Sequence, residues 1–411
     1  MSHVTIIGAG IVGACCARYL ALDGHEVTLV DRLEPGMGCS FGNAGVISTV
    51  SSSVQPPSPK LLKDILRMMF DRDATLVLRW SYLPRMVPWL AALLRGCTEV
   101  DQRRTAEAMA SLLTGTTAAY DRIVKETEAD RHVRRNGMIG LYRTEETFAA
   151  DAWRRDMNRG LGAEFTEPAA EEIRQMEPSL SQEVRRAVFF PTAYSTDNPS
   201  LLTRAIADRA GGFVQAEVEN IRVENGRATA LVTNKGEMSV DKLVVAAGAF
   251  SHRLARMMGI RVLLDTERGY HVELDGVATG LNRACLHYEY AFGINPMTTG
   301  LRFAGTVELA GVDAPENPAR AHTIWRRARP LVRELDGIDN PVMRLWMGRR
   351  PTLPDFRPVI GGAPGIANCW FAFGHQHLGL TLGARTGEIV AELVSGRDPG
   401  LDLKPFRADR F

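Results

Sequence analysis

Three stretches of the 411-residue sequence predict an α/β fold built around a parallel sheet: VTIIGAGIVGACCARYLALDGHEVTLVDR at the start, LVVAAGAFSHRLA in the middle and NCWFAFGHQHLGLTLGARTGEIVAELVSG near the end. Each sets an apolar strand before a glycine-containing turn and a helix, as βαβ units do. In the first, Gly8-Ala9-Gly10-Ile11-Val12-Gly13 opens the helix and Asp31 ends the next strand roughly 20 residues on, which is the dinucleotide-binding pattern. Gly8 permits the tight turn, Gly10 lets the backbone approach a pyrophosphate, and Gly13 lets helix and strand pack closely. Asp31 would accept from a ribose hydroxyl, and its charge argues against a ribose 2′-phosphate. The motif alone does not separate FAD from NAD.

A chain of 411 residues exceeds what one hydrophobic core normally serves, and 45% apolar content supplies a sizeable interior, so two domains are expected. The net charge of +1 and the lack of a basic stripe interleaved with aromatics argue against nucleic acid. RRNGMIGLYR, from Arg134 to Arg143, reads as a loop entering a strand. Cys15, Cys16, Cys39, Cys97, Cys285 and Cys369 form no CxxC pair, which points to a reducing compartment and no structural zinc. Two histidines, His375 and His377, without a third ligand at recognisable spacing make a weak metal signal, and no metal is expected.

A cytoplasmic location is expected, because the glycine turn interrupts the first apolar run as no secretory signal does. No apolar run approaches the roughly 20 residues of a membrane span. Met86 to Leu94 is too short and contains Pro88. KLLKDILRMMF, from Lys60, gathers Leu61, Leu62, Ile65, Leu66, Met68 and Met69 on one helical face. It reads either as a helix packed on its own domain or as a peripheral contact with the inner face of a membrane.

Beyond a Ser/Pro-rich connection, Ser48 to Pro59, helices are expected through about Ala129, then a strand from Met138 to Tyr142 and a helix after Thr144. A helix after Pro199 leads to short strands separated by Glu224-Asn225-Gly226 and Asn234-Lys235-Gly236 turns. A buried strand from Lys242 to Ala247 ends at Gly248, and a helix starts near Ser251. Strands between about Val262 and Thr306 precede a basic helix from Pro318 to Leu335. The tail reads as a strand from Cys369 to Phe373, a Gly374-His375-Gln376-His377 loop and a helix beginning near Leu378 or Gly379. That helix N-terminus would stabilise the anionic edge of a reduced flavin, which an isoalloxazine needs and a nicotinamide does not.

The GAGIVG start, CSFGNAGVIS, the AAG strand, RFAGTVELAG, GRRPTLPDFRPVIG and GHQHLGLTLG occur in the order found in the D-amino acid oxidase-like flavoprotein family. The chain resembles this family nearly end to end, most of all its bacterial D-amino acid dehydrogenases. The likeness is specific at both termini and loose between about Leu61 and Thr192. It implies that Gly8, Gly10, Ile11, Val12, Gly13, Asp31 and Arg32 hold the ADP part of FAD, and that Ser40, Asn43, Ala44 and Gly45 run along pyrophosphate and flavin. Val218 would bracket adenine, with Ala247 and Gly248 a second nucleotide contact. Gly348, Gly374, His375, Leu378, Gly379, Leu380 and Thr381 fall in segments that border the flavin.

For the substrate, the resemblance implies Arg350 as the carboxylate ligand, a role that suits a bidentate guanidinium. The plain alternative is a surface Arg349-Arg350 pair, solvated or bridging to Asp355. His377, Tyr270 and Tyr288 are further pocket candidates, with His271, His287 and Tyr290 beside them; most tyrosines are simply packing residues. The implied reaction is oxidation of a D-amino acid by hydride transfer from Cα to flavin N5. The imino acid would then hydrolyse to a 2-oxo acid and ammonia, and the electrons would pass to a quinone or respiratory acceptor. D-proline or 4-hydroxy-D-proline as substrate, and an oxygen-using glycine or sarcosine-type oxidation, are the alternatives. No general base is required if the amine binds neutral, the form that burial favours. Two other classes stay open: an NAD-dependent oxidoreductase, and a flavin-binding subunit of an electron-transfer complex.

The implied architecture is an FAD-binding Rossmann-like domain of glutathione reductase type, from residues 1–60, 195–264 and 340–411. It is interleaved with an α+β substrate domain on a mostly antiparallel sheet, from 61–194 and 265–339.

Overall fold

The computed structural model describes residues 1–48, 74–125 and 127–411. The helix expected from Lys60, and with it the membrane-contact reading, lies outside the described residues. Among the described residues no helix is long and apolar enough to cross a membrane.

The strand His3–Ile7 is buried from Val4 onward and sits at the centre of a six-stranded sheet. Glu26–Asp31 and Lys242–Val245 flank it in parallel. Gly212–Gln215 and Cys369–Phe373 extend the parallel set, and Val359–Gly362 closes one edge antiparallel. The sheet therefore draws strands from the start, middle and end of the chain. On one face the helices Ile11–Leu22 and Gly379–Val394 lie against each other. The other face is covered by the meander Val218–Glu224, Arg227–Thr233 and Gly236–Ser239 and by the helix Ser251–Met257. Asn225 and Gly226, at φ 50° and 70°, make the left-handed two-residue turn that suits strand twist.

A second sheet runs in the order Met343–Thr352, Asp265–Leu274, Gly300–Leu309, Phe292–Met297, Ala284–His287, Met138–Tyr142 and Arg186–Phe190, with Leu76–Leu78 added beside Gly300–Leu309. It is antiparallel apart from the pairs Ala284–His287 with Met138–Tyr142 and Leu76–Leu78 with Gly300–Leu309. Along Asp265–Leu274 the side chains alternate as a pleated strand requires. Tyr270, Val272 and Leu274 enter a core shared with the helix Ala319–Ala328. Glu267, Gly269, His271 and Glu273 take the other face, toward the first sheet.

The structure corrects the expected domain division in two places. Met343–Thr352 pairs along all ten residues with Asp265–Leu274, so the chain returns to the nucleotide-binding part after Thr352, not at residue 340. The helices Glu99–Leu113 and Thr116–Val124, expected in the substrate domain, bury Met109, Leu112, Tyr120 and Ile123 in the same core as the first helix. Smaller shifts follow local chemistry. The helix after Thr144 breaks at Asp151 into Glu145–Ala150 and Ala152–Gly160. The basic helix stops at Ala328, just before Pro330, which has no amide proton to continue it.

Candidate active site

The C-terminal ends of the parallel strands face the second sheet across a cleft of about 970 Å³, at the upper end of ligand-site volumes and where such sheets place ligands. At one end the glycine turn meets its neighbours at contact distance. Gly8 has φ 113°, and a Cβ there would lie 2.4 Å from the Ala246 carbonyl oxygen. A Cβ on Gly13 would lie 1.9 Å from the Gly8 carbonyl oxygen. Gly10 is the N-cap of the first helix and brings no side chain to it; Ser40 Oγ accepts from the Ile11 N–H at 2.9 Å instead. With Val12, these residues leave the helix N-terminus open to the cleft. Asp31 accepts from the N–H groups of Ala9 (2.8 Å) and Leu33 (3.0 Å), which fixes the carboxylate while leaving lone pairs for a ribose. Arg32 lies over the Phe250 ring at 4.1 Å, and Val218, Ala247 and Gly248 line the same end.

The loop from Ser40 to Gly45 crosses the middle of the cleft and is anchored to the second sheet. Arg302, paired with Glu273 at 2.7 Å, donates to the carbonyls of Phe41 (2.9 Å) and Asn43 (2.8 Å). Asn295 donates to the Ala44 carbonyl at 2.9 Å, and Asn43 Oδ1 accepts from the Gly45 N–H at 2.8 Å. Gly45 has φ 75°, and a Cβ there would meet Asn295 Nδ2 at 2.4 Å.

At the far end Leu378, Gly379, Leu380 and Thr381 bring the first turn of Gly379–Val394 to the cleft, with Gly374 at φ 84° turning the chain toward it. The buried Tyr120 hydroxyl donates to the Leu380 carbonyl. Thr381 Oγ1 accepts from the Ser48 N–H at 3.1 Å and donates to the Val46 carbonyl at 3.3 Å, so this hydroxyl anchors the neighbouring loop. His375 bonds Thr386 Oγ1 at 3.0 Å, and burial pushes its pKa down to about 3. His377 turns to a different partner, with Nε2 3.2 Å from Glu267 Oε2.

Arg350 enters the cleft floor from the edge strand. The register between Asp265–Leu274 and Gly300–Leu309 shifts beside it, and Thr306 takes φ 53°. The Arg350 guanidinium donates to the carbonyls of Thr306 (2.8 Å) and Gly305 (3.3 Å). It lies over Gly269, where a Cβ would come within 2.1 Å of Cζ. Asp355, the alternative partner, is held instead by Arg357 and Arg410. Arg349 donates to the Val312 carbonyl at 2.7 Å. Gly348, in register with Gly269, makes room for the Trp346 ring.

Both candidate tyrosines line the cleft, and the Tyr288 ring lies under the Arg154 guanidinium at 3.8 Å. Tyr270 does not reach substrate through its hydroxyl. It donates to Glu308 at 2.5 Å and accepts from the Asn317 N–H at 3.1 Å, on the sheet face that packs into the core. His271 stacks on Trp346 and bonds the Gly42 carbonyl at 3.1 Å, and His287 is sandwiched between Tyr290 and Phe292. Trp346 and Arg154 on the cleft wall, and Glu267 behind His377, were not among the residues expected from sequence. Glu267 and Trp346 carry the parity of Gly269 and Gly348, the one signal in the chain that would have picked them out.

The cradle fits FAD. Glycines stand where a Cβ would collide at the pyrophosphate turn, an aspartate is fixed beyond it, and a second helix N-terminus lies at the opposite end. Fold and cleft together define an FAD-dependent oxidoreductase. The chain belongs to the DAO family of FAD dependent oxidoreductases, whose model matches residues 3–393, and FAD is its cofactor. It is 37% identical to a D-amino-acid oxidase of Bradyrhizobium diazoefficiens, covering 100% of this chain and 99% of that protein. It is 32% identical to a D-amino acid dehydrogenase of Paramagnetospirillum magneticum, covering 99% and 98%. Among solved structures, L-proline dehydrogenase from P. horikoshii superposes with a TM-score of 0.76 at 20% identity, over 100% and 97% of the two chains. Glycine oxidase from Bacillus cereus gives 0.72 at 21%, over 100% and 99%. These likenesses show the fold.

Proposed function

We propose that the protein oxidises D-amino acids to the imino acid, using FAD, and passes the electrons to a quinone-type acceptor. The observation that carries this reading is Arg350. With two donors engaged by the carbonyls of Thr306 and Gly305, three of its five N–H groups remain to fork a carboxylate at the cleft floor. His377 and Tyr288 supply the neighbouring walls, and Thr306 and Phe292 line the same cleft. When bound, FAD supplies the two-electron acceptor that amine oxidation needs. Clamping the carboxylate fixes Cα, which is the positioning a bound amino acid needs from the protein.

The acceptor divides two readings. The relative at 37% identity is named an oxidase and the one at 32% a dehydrogenase, so oxygen is the specific rival to a quinone. A cytoplasmic location and contact of the Lys60 segment with the membrane's inner face accompany the quinone reading. The test is anaerobic mixing of the FAD-loaded protein with a panel of D- and L-amino acids, including D-proline and 4-hydroxy-D-proline, while the visible flavin band is followed. Bleaching by D-amino acids is expected, and no bleaching by any member would refute amine oxidation. Reoxidation of the bleached protein by a quinone analogue with lipid vesicles, faster than by oxygen, is expected; the reverse order would make it an oxidase.

A further inference from the structure

Glu267 is a buried carboxylate, 6% exposed. Glu273 grips Arg302 and Arg344, Glu308 holds Arg268 and Tyr270, and Glu177 holds Arg283 and the Asn282 N–H. Among the described residues Glu267 holds no arginine in this way. The strand register sets it beside Arg350, whose guanidinium donates to carbonyls instead. Among the described residues its Oε2 accepts no hydrogen bond of good geometry, and it faces His377 Nε2 at 3.2 Å. His377 is 38% exposed and lines the cleft next to Arg350. A buried carboxylate without a close partner is costly to keep charged and takes up a proton readily instead.

We propose that Glu267, acting through His377, takes the proton that the substrate's ammonium group loses before oxidation. The proposal rests on the amino-acid reading above and deepens it. In the step, one ammonium N–H bond breaks and its proton goes to Nδ1 of neutral His377, while the Nε2 proton passes to Glu267 Oε2. The imidazole ends neutral in its other tautomer, the carboxylate ends as the acid, and the amine keeps its lone pair. No electron changes hands. Glu267 is thus a positioning residue and proton reservoir, and His377 is the group that touches substrate.

Electrostatics agree with that geometry. Burial raises the Glu267 carboxyl to about 7 against the pull of Arg350, so it takes a proton readily at neutral pH. Enclosure in the cleft and then the Arg350 charge push His377 below its ordinary value, so the imidazole passes a proton on without retaining it. The titratable and charged groups around Glu267 are Arg350 on the edge strand, His377 on the turn, Asp265 on its own strand with Tyr82 bonded to it, and Cys39 beside Arg350. Leu309, opposite Glu267 on the third strand, adds no charge.

The test compares wild type with Glu267→Gln, both FAD-loaded, by anaerobic flavin bleaching across pH. Wild-type bleaching should rise through about pH 7, where Glu267 ionises. The variant should bleach at least about tenfold more slowly at neutral pH and approach wild type only near roughly pH 10, where free amines are neutral. Infrared difference spectra without substrate should show a protonated-carboxyl C=O band in wild type below pH 7 that Glu267→Gln lacks. If Glu267→Gln does not fold, His377→Gln should give the same loss and the same pH profile, because one relay is cut. Superimposable profiles, or no missing band, would overturn the proposal and leave amine oxidation standing. A wild type that no amino acid bleaches would remove both.

Discussion

Arg350 and Tyr270 lie on adjacent strands of one sheet but on opposite faces, and their roles diverge accordingly. Arg350→Ala removes a charged fork from the cleft, so KM for the amino acid should rise about 100-fold, from ~3 kcal/mol of lost charged hydrogen bonding. The bound-flavin spectrum should not change. An unaltered KM would take Arg350 out of the site. Tyr270→Phe should leave KM alone and lower stability by about 1–2 kcal/mol, since it strips the buried Glu308 of a donor; paired kinetics and thermal unfolding check both. From sequence alone Tyr270 and Tyr288 looked equivalent. A strand's side chains alternate, and which parity faces the core follows from the sheet partners, so the Tyr270 hydroxyl is taken up by Glu308 while the Tyr288 ring lies under Arg154. Glu267 shares the parity of Gly269, but a glutamate in a strand reads as a surface charge until its neighbours are known.

At the scale of elements, the first and last helices meet at a glycine. A Cβ on Gly387 would stand 2.6 Å from the Cys15 carbonyl oxygen, inside the crossing of two helices. Gly387→Ala should therefore cost roughly 1–3 kcal/mol through overpacking, despite alanine's better helix propensity. Gly38→Ala, where a Cβ meets nothing within 4 Å among the described residues, is the control, and chemical denaturation compares them. An equal midpoint for both variants would refute the packing argument. The strands, turns and helix starts near the glycine motifs were legible because their causes are local. The break at Asp151 and the stop before Pro330 were less so, since the apolar pattern runs through both.

Across the whole molecule, Arg302 ties the two sheets together. One guanidinium pairs with Glu273 and holds the carbonyls of Phe41 and Asn43 on the loop that crosses the cleft. Arg302→Met should loosen that loop and raise the Kd for FAD by about tenfold, on the scale of one or two lost charged hydrogen bonds. Flavin fluorescence on dilution measures the release. Retention equal to wild type would mean that the loop holds without Arg302.

The sequence by itself determined the βαβ start, the glycine spacing, the fixed acid at Asp31, the helix start beyond His377 and the FAD-dependent family, because each is written in neighbouring residues. Only the tertiary structure decided that Met343–Thr352 joins the substrate-side sheet, that Glu99–Leu113 packs on the nucleotide domain, and that the Tyr270 hydroxyl is spent on Glu308. It alone brought Glu267, Arg350 and His377 together. Those outcomes depend on pairings between distant segments, where strand register and side-chain parity, not local propensity, set which groups meet.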